Sequence, residues 1–222
     1  RGVSPPRAPR ACWEVHARPG DLRDAAGRAG VERGGGTDAG RGGGAAAAEA
    51  VGARDGVAVV RGWGVSTADG HLLAIGVTDQ PDPDRPLPAT AREVRARGGV
   101  AVVPHPFQRL RHGASADSIA AVDGIEVHNA HTVSNIRNGQ AREFAACHGY
   151  ATYGGSDAHR PRTVGLAATE VTLPPGAPAT ADSIRRAMRE GRTAAVGRRT
   201  SAWQYVSKLF TTARIRATAL QR

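Results

Sequence analysis

A chain of 222 residues with 40% hydrophobic and only 4% aromatic residues can bury one core of Val, Ile, Leu and Ala, which favours an α/β fold on buried parallel strands. Two cysteines, Cys12 and Cys147, are too few for a disulfide framework, and the lack of a ~20-residue apolar run argues against a membrane partner and favours a cytoplasmic location. The formal net charge of +10 keeps a polyanionic partner open.

Residues 1–53 show no sustained period of 2 or 3.6 and contain few branched apolar residues, so they are predicted to bury little. Their bias toward Gly, Arg and Ala is typical of a disordered extension, or of GC-rich DNA translated in the wrong frame. The character changes near Gly56, where GVAVVRG and then HLLAIGV predict two buried strands. We therefore predict one α/β domain over residues 54–199.

Helices and strands alternate through this domain. A helix over Pro86–Arg97 has a proline near its start and glycines at its end, and the strand VAVV follows it. The next predicted elements are a short helix at 115–122, the strand GIEVHN, a helix at 135–147, the strand ATYGG and a helix at 182–190 with its N-cap at Ala181 or Asp182. Such alternation indicates a parallel sheet or barrel, whose functional side chains lie beyond the C-terminal strand ends.

The C-terminal segment, residues 200–222, is predicted to form a basic amphipathic helix with Trp203, Val206, Phe210 and Ile215 near one stripe. Residues 182–222 hold ten basic against two acidic residues, whereas residues 55–181 are nearly neutral. Two interpretations stay open for this helix. It packs over the base of the domain, or the Arg-rich segment 182–222 to which it belongs binds nucleic acid through the phosphates.

Three successive predicted strands end in potential metal ligands. His105 follows VAVV, the stretch Glu126 to His131 ends GIEVHN, and Asp157 and His159 follow ATYGG. Imidazole and carboxylate groups hold Zn, Mn or Fe, and alternating strands and helices bring strand ends around one mouth. Metal ions at such a mouth suit the hydrolysis of phosphate esters.

Each of these motifs is weak alone, because a single His-Pro is usually a turn and Asp-x-His arises by chance in loops. His71 opens the strand HLLAIGV and faces either the mouth or solvent. His112 and His148 lie in polar or helical stretches, and we expect them at the surface. Glu126 points opposite to its neighbours, which favours a structural role.

Taken together, GVSTADGHLLAIGV, GGVAVVPHPFQ, DGIEVHNA and YGGSDAHRPRTVG resemble the second half of a domain of the PHP (polymerase and histidinol phosphatase) superfamily, over about residues 56–199. The resemblance implies a distorted (β/α)7 TIM-like barrel, incomplete here at its N-terminus, with two or three divalent metal ions and phosphoesterase activity. By position, His105, Asp157 and His159 match family metal ligands, and Asp157 and His159 are the catalytic candidates. Further candidate ligands are Asn129, His131 and His71.

The sequence also departs from the family pattern. The His-x-His and Asp-His motifs of the first family strands have no counterpart in residues 1–53, and Gly64 stands where the family has a ligating Glu. A frameshift upstream of about Ala48 explains both the loss and the biased composition, and fewer metal ions are expected here. The functions to be weighed are a hydrolase of a phosphorylated small metabolite or nucleotide phosphoester, an inactive remnant of such an enzyme, and an Arg-rich nucleic-acid-binding module.

Overall fold

The computed structural model describes residues 58–132, 135–158 and 163–197, together with the backbone of three two-residue strands nearer the N-terminus. These strands are β1 (Arg10–Ala11), β2 (Trp13–Glu14) and β3 (Gly35–Gly36). The predicted C-terminal helix over 200–222 and most of the segment 1–53 lie outside the described residues. The sequence-based predictions for both segments therefore stay predictions.

A five-stranded sheet forms the centre of the molecule. Its strands, in spatial order, are β4 (Gly62–Thr67), β5 (Gly70–Ile75), β6 (Val100–Val103), β7 (Gly124–Asn129) and β8 (Ala151–Gly155). β5 runs antiparallel to both β4 and β6, whereas β6, β7 and β8 are parallel. The N-terminal end of β5 therefore lies at the same edge of the sheet as the C-terminal ends of β6, β7 and β8.

The first of the two predicted strands is placed too early. GVAVVRG overlaps β4, GWGVST, only at Gly62, and before β4 Val60 forms an isolated bridge. The turn between β4 and β5 sets this register, because it pairs Thr67 with Gly70 and so carries the ladder back to Gly62 opposite Ile75. Thr67 closes the turn by donating its hydroxyl to the Gly70 carbonyl. The second predicted strand is confirmed in β5.

In the described part of the chain three helices cover the sheet: α1 (Leu87–Ala96), α2 (Asn135–His148) and α3 (Ala181–Arg189). All three match predicted helices to within one or two residues. The segment predicted as a short helix at 115–122 is helical only over Ala116–Ser118, as a 3-10 turn. The N-cap of α3 is Thr180, one residue before the predicted position, because its hydroxyl and that of Ser183 satisfy each other's backbone N–H groups.

The sheet is buried on both faces, which explains why its strands are nearly continuous apolar runs. Leu72 and Ala74 of β5 join one apolar cluster with α1 and α2, while Leu73 and Ile75 join a second cluster with α3. Alternate side chains of a strand point to opposite faces, so each strand feeds both clusters. Burying one such Leu or Ile side chain stabilises the fold by about 1.5–3 kcal/mol.

A second sheet lies beyond β8. It consists of β9 (Ala167–Val171), which pairs antiparallel with β10 (Thr193–Gly197) and with β1. β8 meets β9 through a side chain instead of a backbone ladder: the Thr169 hydroxyl accepts from the N–H of Gly154 at 3.0 Å and donates to its carbonyl at 2.9 Å. Gly154 permits this approach, since a Cβ there would lie 2.5 Å from the Ala168 carbonyl oxygen.

The fold is therefore mixed α/β with a partly parallel sheet. The distorted barrel is not confirmed, because the strands that the structure describes form separate sheets and do not close. The antiparallel pairs β4–β5 and β5–β6 at one side, and the side-chain junction at Thr169 on the other, interrupt the parallel ladder. Within the described part of the chain, no helix is long and apolar enough to cross a membrane.

Candidate active site

Polar side chains gather at the sheet edge where β6, β7 and β8 end. His105 comes two residues after β6, Asn129 is the last residue of β7, and Asp157 comes two residues after β8. The amide Nδ2 of Asn129 donates to Asp157 Oδ2 at 3.2 Å. Three neighbouring parallel strands thus deliver three of the predicted site residues to one edge.

The backbone at two of these residues has an uncommon conformation. His105 has a φ of 32° and Asp157 a φ of 46°, both in the left-handed region that non-glycine residues rarely adopt. Such a conformation costs about 1–3 kcal/mol per residue and persists only where the surroundings impose it. Both residues lie in the turn that directly follows a buried strand. The strained backbone conformation therefore occurs at the positions that orient these two side chains.

Glu126 links the ends of β6 and β7 beneath this edge. Its Oε2 accepts the His105 backbone N–H at 2.6 Å and the Asn129 amide at 2.9 Å, and the residue is 4% exposed. Desolvation by burial raises the pKa of Glu126 to about 7, although the hydrogen bonds from Asn129 and His105 act the other way. The structural role expected for Glu126 is therefore one of holding two site residues in place.

Arg111 brings a positive charge into the site. It ends a 3-10 turn, Arg109–Arg111, and its guanidinium forms an ion pair with Asp157. It also donates to Asn129 Oδ1 at 3.4 Å and to the carbonyl of His131 at 3.3 Å. Arg111 is not among the predicted site residues, because an arginine in a loop carries no signal in a chain so rich in arginine.

Two imidazoles lie beside this charge. The rings of His71 and His105 are 5.5 Å apart in an edge-to-face arrangement, and His112 stacks on His71 at 5.4 Å. Burial, followed by the Arg111 charge, lowers the pKa of His105 to about 3. Burial, followed by the charges of His112 and Arg111, also lowers the pKa of His71. Both imidazoles are therefore neutral at physiological pH.

The other predicted positions have mixed outcomes. His71 stands on the site side, because β5 is antiparallel and begins where β6 ends. His131 contacts the site through its backbone, since its N–H donates to Asn129 Oδ1 at 2.9 Å. His159 lies outside the described residues. His112 and His148 are exposed, as expected.

The donors here fit a metal ion only in part. His105 Nδ1 is buried and has no hydrogen-bond partner among the described residues, and neutral imidazole and carboxylate groups are donors that Zn, Mn and Fe accept. However, no group of three or more His, Cys, Asp or Glu side chains that could hold an ion occurs in the described ranges. A complete ligand set needs donors from elsewhere, with His159 the predicted one.

A family model supports the resemblance seen in the sequence. The model described as PHP-associated (PHP_C) matches residues 135–193, which span α2 to the start of β10. No curated protein matches the chain at a significant level. The match covers the part of the chain that carries Asp157 but not the loop that carries His105 and Arg111.

Solved structures share the fold at low sequence identity. A two-domain protein from Bacteroides vulgatus ATCC 8482, containing a predicted PHP-like metal-dependent phosphoesterase, has a TM-score of 0.69 at 18% identity, covering 89% of this chain and 68% of that chain. PsfC from Pseudomonas syringae PB-5123 has a TM-score of 0.65 at 17% identity, covering 97% and 100%. An amidohydrolase from Chromobacterium violaceum, with bound sulfate and no metal, has a TM-score of 0.58 at 18% identity, covering 83% and 97%.

The solved structures show that the chain shares a mixed α/β fold with a PHP-like protein. Its polar site lies at the C-terminal ends of the parallel strands. The PHP-associated match over residues 135–193 confirms the resemblance to the PHP superfamily for that part of the chain.

Proposed function

We propose that this chain is a metal-dependent phosphoesterase that hydrolyses a phosphorylated small metabolite or a nucleotide phosphoester at the sheet edge of β6, β7 and β8. The observation that carries the proposal is the convergence of Asn129, Asp157 and Arg111, with His105 held beside them through Glu126. A guanidinium with neutral imidazoles beside it suits a phosphoryl group, because Arg donates to its oxygens in a fixed fork.

In this proposal His105, Asp157 and His159 hold a divalent ion, Zn, Mn or Fe, and Asn129, His131 and His71 are the further candidate ligands. Support comes from the neutral imidazole of His105 with its unpartnered Nδ1, and from the carboxylate that follows the parallel strand two places away. The ion would supply Lewis acidity toward the phosphoryl oxygens. The incomplete ligand set favours fewer ions than the family's two or three.

The chain's own groups have distinct tasks in this reaction. Arg111 has five N–H donors, so it can share its guanidinium between Asp157 and a phosphoryl oxygen. Asp157, which pairs with that guanidinium, would accept a proton from the attacking water as the water oxygen bonds to phosphorus and the ester oxygen leaves, taking its proton from solvent. Asn129 orients Asp157 through the 3.2 Å hydrogen bond. His159, the second catalytic candidate of the sequence, is proposed to assist at the same strand end.

Hydrolysis of p-nitrophenyl phosphate with added Mn or Zn tests the proposal. We expect slow, chelator-sensitive turnover, and Asp157→Asn should lower kcat by about 100-fold or more, as loss of a general base does. The matched control is Asp182→Asn, which removes a carboxylate that is 83% exposed on α3 and should leave the rate unchanged.

Equal rates for the parent chain and Asp157→Asn would contradict the proposed site. Complete absence of turnover by the parent chain, with either metal, would favour the second candidate function, an inactive remnant of a PHP phosphoesterase. That candidate is supported by the lack of a three-ligand group among the described residues and by Gly64. The nucleic-acid-binding alternative depends on the basic segment of residues 182–222, which the structure describes only as far as residue 197.

A further inference from the structure

A groove opens beside the proposed active site, between the loop that follows β6 and helix α2. Its volume is about 980 Å³, at the upper end of the range in which small-molecule sites fall. Residues 107–111 and 113–116 form one wall, and Arg137, Gln140, Phe144 and Cys147 of α2 lie along the other. Arg111 and Thr132 lie at the groove as well, and Arg111 also pairs with Asp157. The groove and the proposed active site therefore share a residue.

Aromatic rings form a fixed apolar surface in this groove. Phe107 and Phe144 meet edge to face with centroids 5.5 Å apart, and both pack against the buried core. His148 stacks on Phe144 at 4.1 Å. Rings anchored in this way lose little conformational entropy when a ligand covers them, and they favour flat aromatic partners at centroid distances of 4.5–7 Å.

The charges around the groove favour an anion. Arg109, Arg111 and Arg137 line it, against the single carboxylate of Glu143. Leu110, between two of these arginines, is fully exposed to solvent. A ligand that satisfies both features carries a negative group at the Arg111 end and a flat apolar group along the rings.

We propose that this groove binds the leaving group of the substrate, and that preferred substrates are phosphate monoesters of a planar aromatic group. The proposal rests on the proposed function, since it places the phosphoryl group at Arg111. Phe144 is then a specificity residue, acting on the choice of ester and not on the bond that is broken.

Isothermal titration calorimetry of the full chain with two non-hydrolysable phosphonates distinguishes the contribution of the groove to binding from that of the phosphoryl site. We expect phenylphosphonate to bind about tenfold or more tightly than methylphosphonate, because only the phenyl ring reaches the apolar surface. Phe144→Leu keeps an apolar side chain but removes the ring, so it should reduce this ratio several-fold with little effect on methylphosphonate. The matched control is Ile136→Ala on the same helix, an exposed apolar residue outside the groove lining, which should leave the ratio unchanged.

A second measurement does not depend on how Phe144→Leu folds. Cys147 is an exposed free thiol in the groove lining, so in a Cys12→Ser chain its alkylation by N-ethylmaleimide reports local access. Phenylphosphonate should slow the alkylation, and methylphosphonate should not. Equal affinity for the two phosphonates, tighter phenylphosphonate binding without protection of Cys147, or no binding of either would each overturn the proposal. Turnover of phenyl phosphate is measured separately and tests the proposed function. If the chain binds phenylphosphonate but does not hydrolyse phenyl phosphate, the groove proposal stands and the proposed activity is wrong.

Discussion

Glu126 and His105 are two buried titratable groups whose pKa values move in opposite directions from similar causes. Burial raises the pKa of Glu126 to about 7 and lowers that of His105 to about 3. Their ordinary values are 4.5 and 6.5. Glu126 thus contributes stability that is full below pH 4.5 and is lost as the pH rises through about 7, whereas His105 contributes stability that is full above pH 6.5 and is lost as the pH falls through about 3.

Glu126→Gln should make the free energy of unfolding depend on pH where the two effects now cancel. Between pH 4.5 and 6.5 folding adds a proton to Glu126 and removes one from His105. In the variant only His105 contributes, so the free energy should rise by about 1.4 kcal/mol per pH unit relative to the parent chain. Urea unfolding at several pH values measures this. His105→Gln should show the opposite slope, and parallel curves for all three chains would contradict the assignment.

Gly64 can accept a carboxylate without disturbing the sheet. A Cβ at this position meets no atom within 4 Å, and the residue is only partly buried on β4. We therefore expect Gly64→Glu to fold with an unfolding midpoint close to that of the parent chain. The same variant should not recover full turnover, because the donors missing from residues 1–53 are not restored. Full activity of Gly64→Glu alone, in the p-nitrophenyl phosphate assay with Mn, would show that one ligand was the whole defect.

Individual site residues were predictable from sequence to different degrees. His105, Asn129 and Asp157 follow buried strands, and that position alone predicts a shared edge once the strands are parallel. Arg111 was not predictable, because its approach to Asp157 depends on the path of an irregular loop. Glu126 was expected to be structural, but its two hydrogen bonds to site residues follow from the register of β6 and β7.

The junction of strands β8 and β9 depends on the hydroxyl of Thr169. Thr169 is fully buried and satisfies both backbone groups of Gly154. Thr169→Val keeps the shape but removes both hydrogen bonds, so two buried backbone groups lose their partner. We expect the free energy of unfolding to fall by about 2 kcal/mol or more, since each unsatisfied group costs about 1–3 kcal/mol.

The control for this variant is Thr169→Ser, which keeps the hydroxyl and removes one methyl group. It should cost about 1 kcal/mol, the transfer free energy of one buried carbon. Chemical denaturation of both variants and the parent chain compares the three. If valine proved no more destabilising than serine, the hydroxyl would not be what joins the two sheets.

Strands bounded by glycine and made of branched residues were the easiest elements to predict. VAVV, GIEVHN and ATYGG are strands over the predicted residues, because an apolar run between turn residues has few other structures to adopt. β9 and β10 were missed, since AATEV and TAAVG are rich in Ala, which has low β-propensity. Their strand structure comes from pairing with each other and from burial against β8.

At the scale of the whole molecule, alternation of elements predicts a layered α/β protein but not the direction of each strand. The connection that follows β5 contains α1 and is long enough for a parallel crossover, yet β6 runs antiparallel to β5, so connection length does not decide strand direction here. The antiparallel direction of β5 brings His71 to the site edge. The open arrangement of the described strands likewise follows from strand direction and from the Thr169 junction, neither of which has a local sequence signal.

Limited proteolysis should distinguish the N-terminal segment from the folded domain that follows it. Two buried clusters, one beneath α1 and α2 and the other beneath α3, hold the described region between residues 58 and 197 together. The sequence before about Ala48 predicts no such core. Trypsin cleaves after arginine, and residues 1–54 contain nine arginines and residues 55–181 eleven. A difference in cleavage rate between the two regions therefore reports folding and not the number of cleavable bonds. We expect early cleavage before Ala48 and a resistant fragment beginning near residue 58, identified by mass spectrometry. A chain denatured in urea before digestion should lose this order, and an N-terminal fragment that outlasts the rest would contradict the prediction.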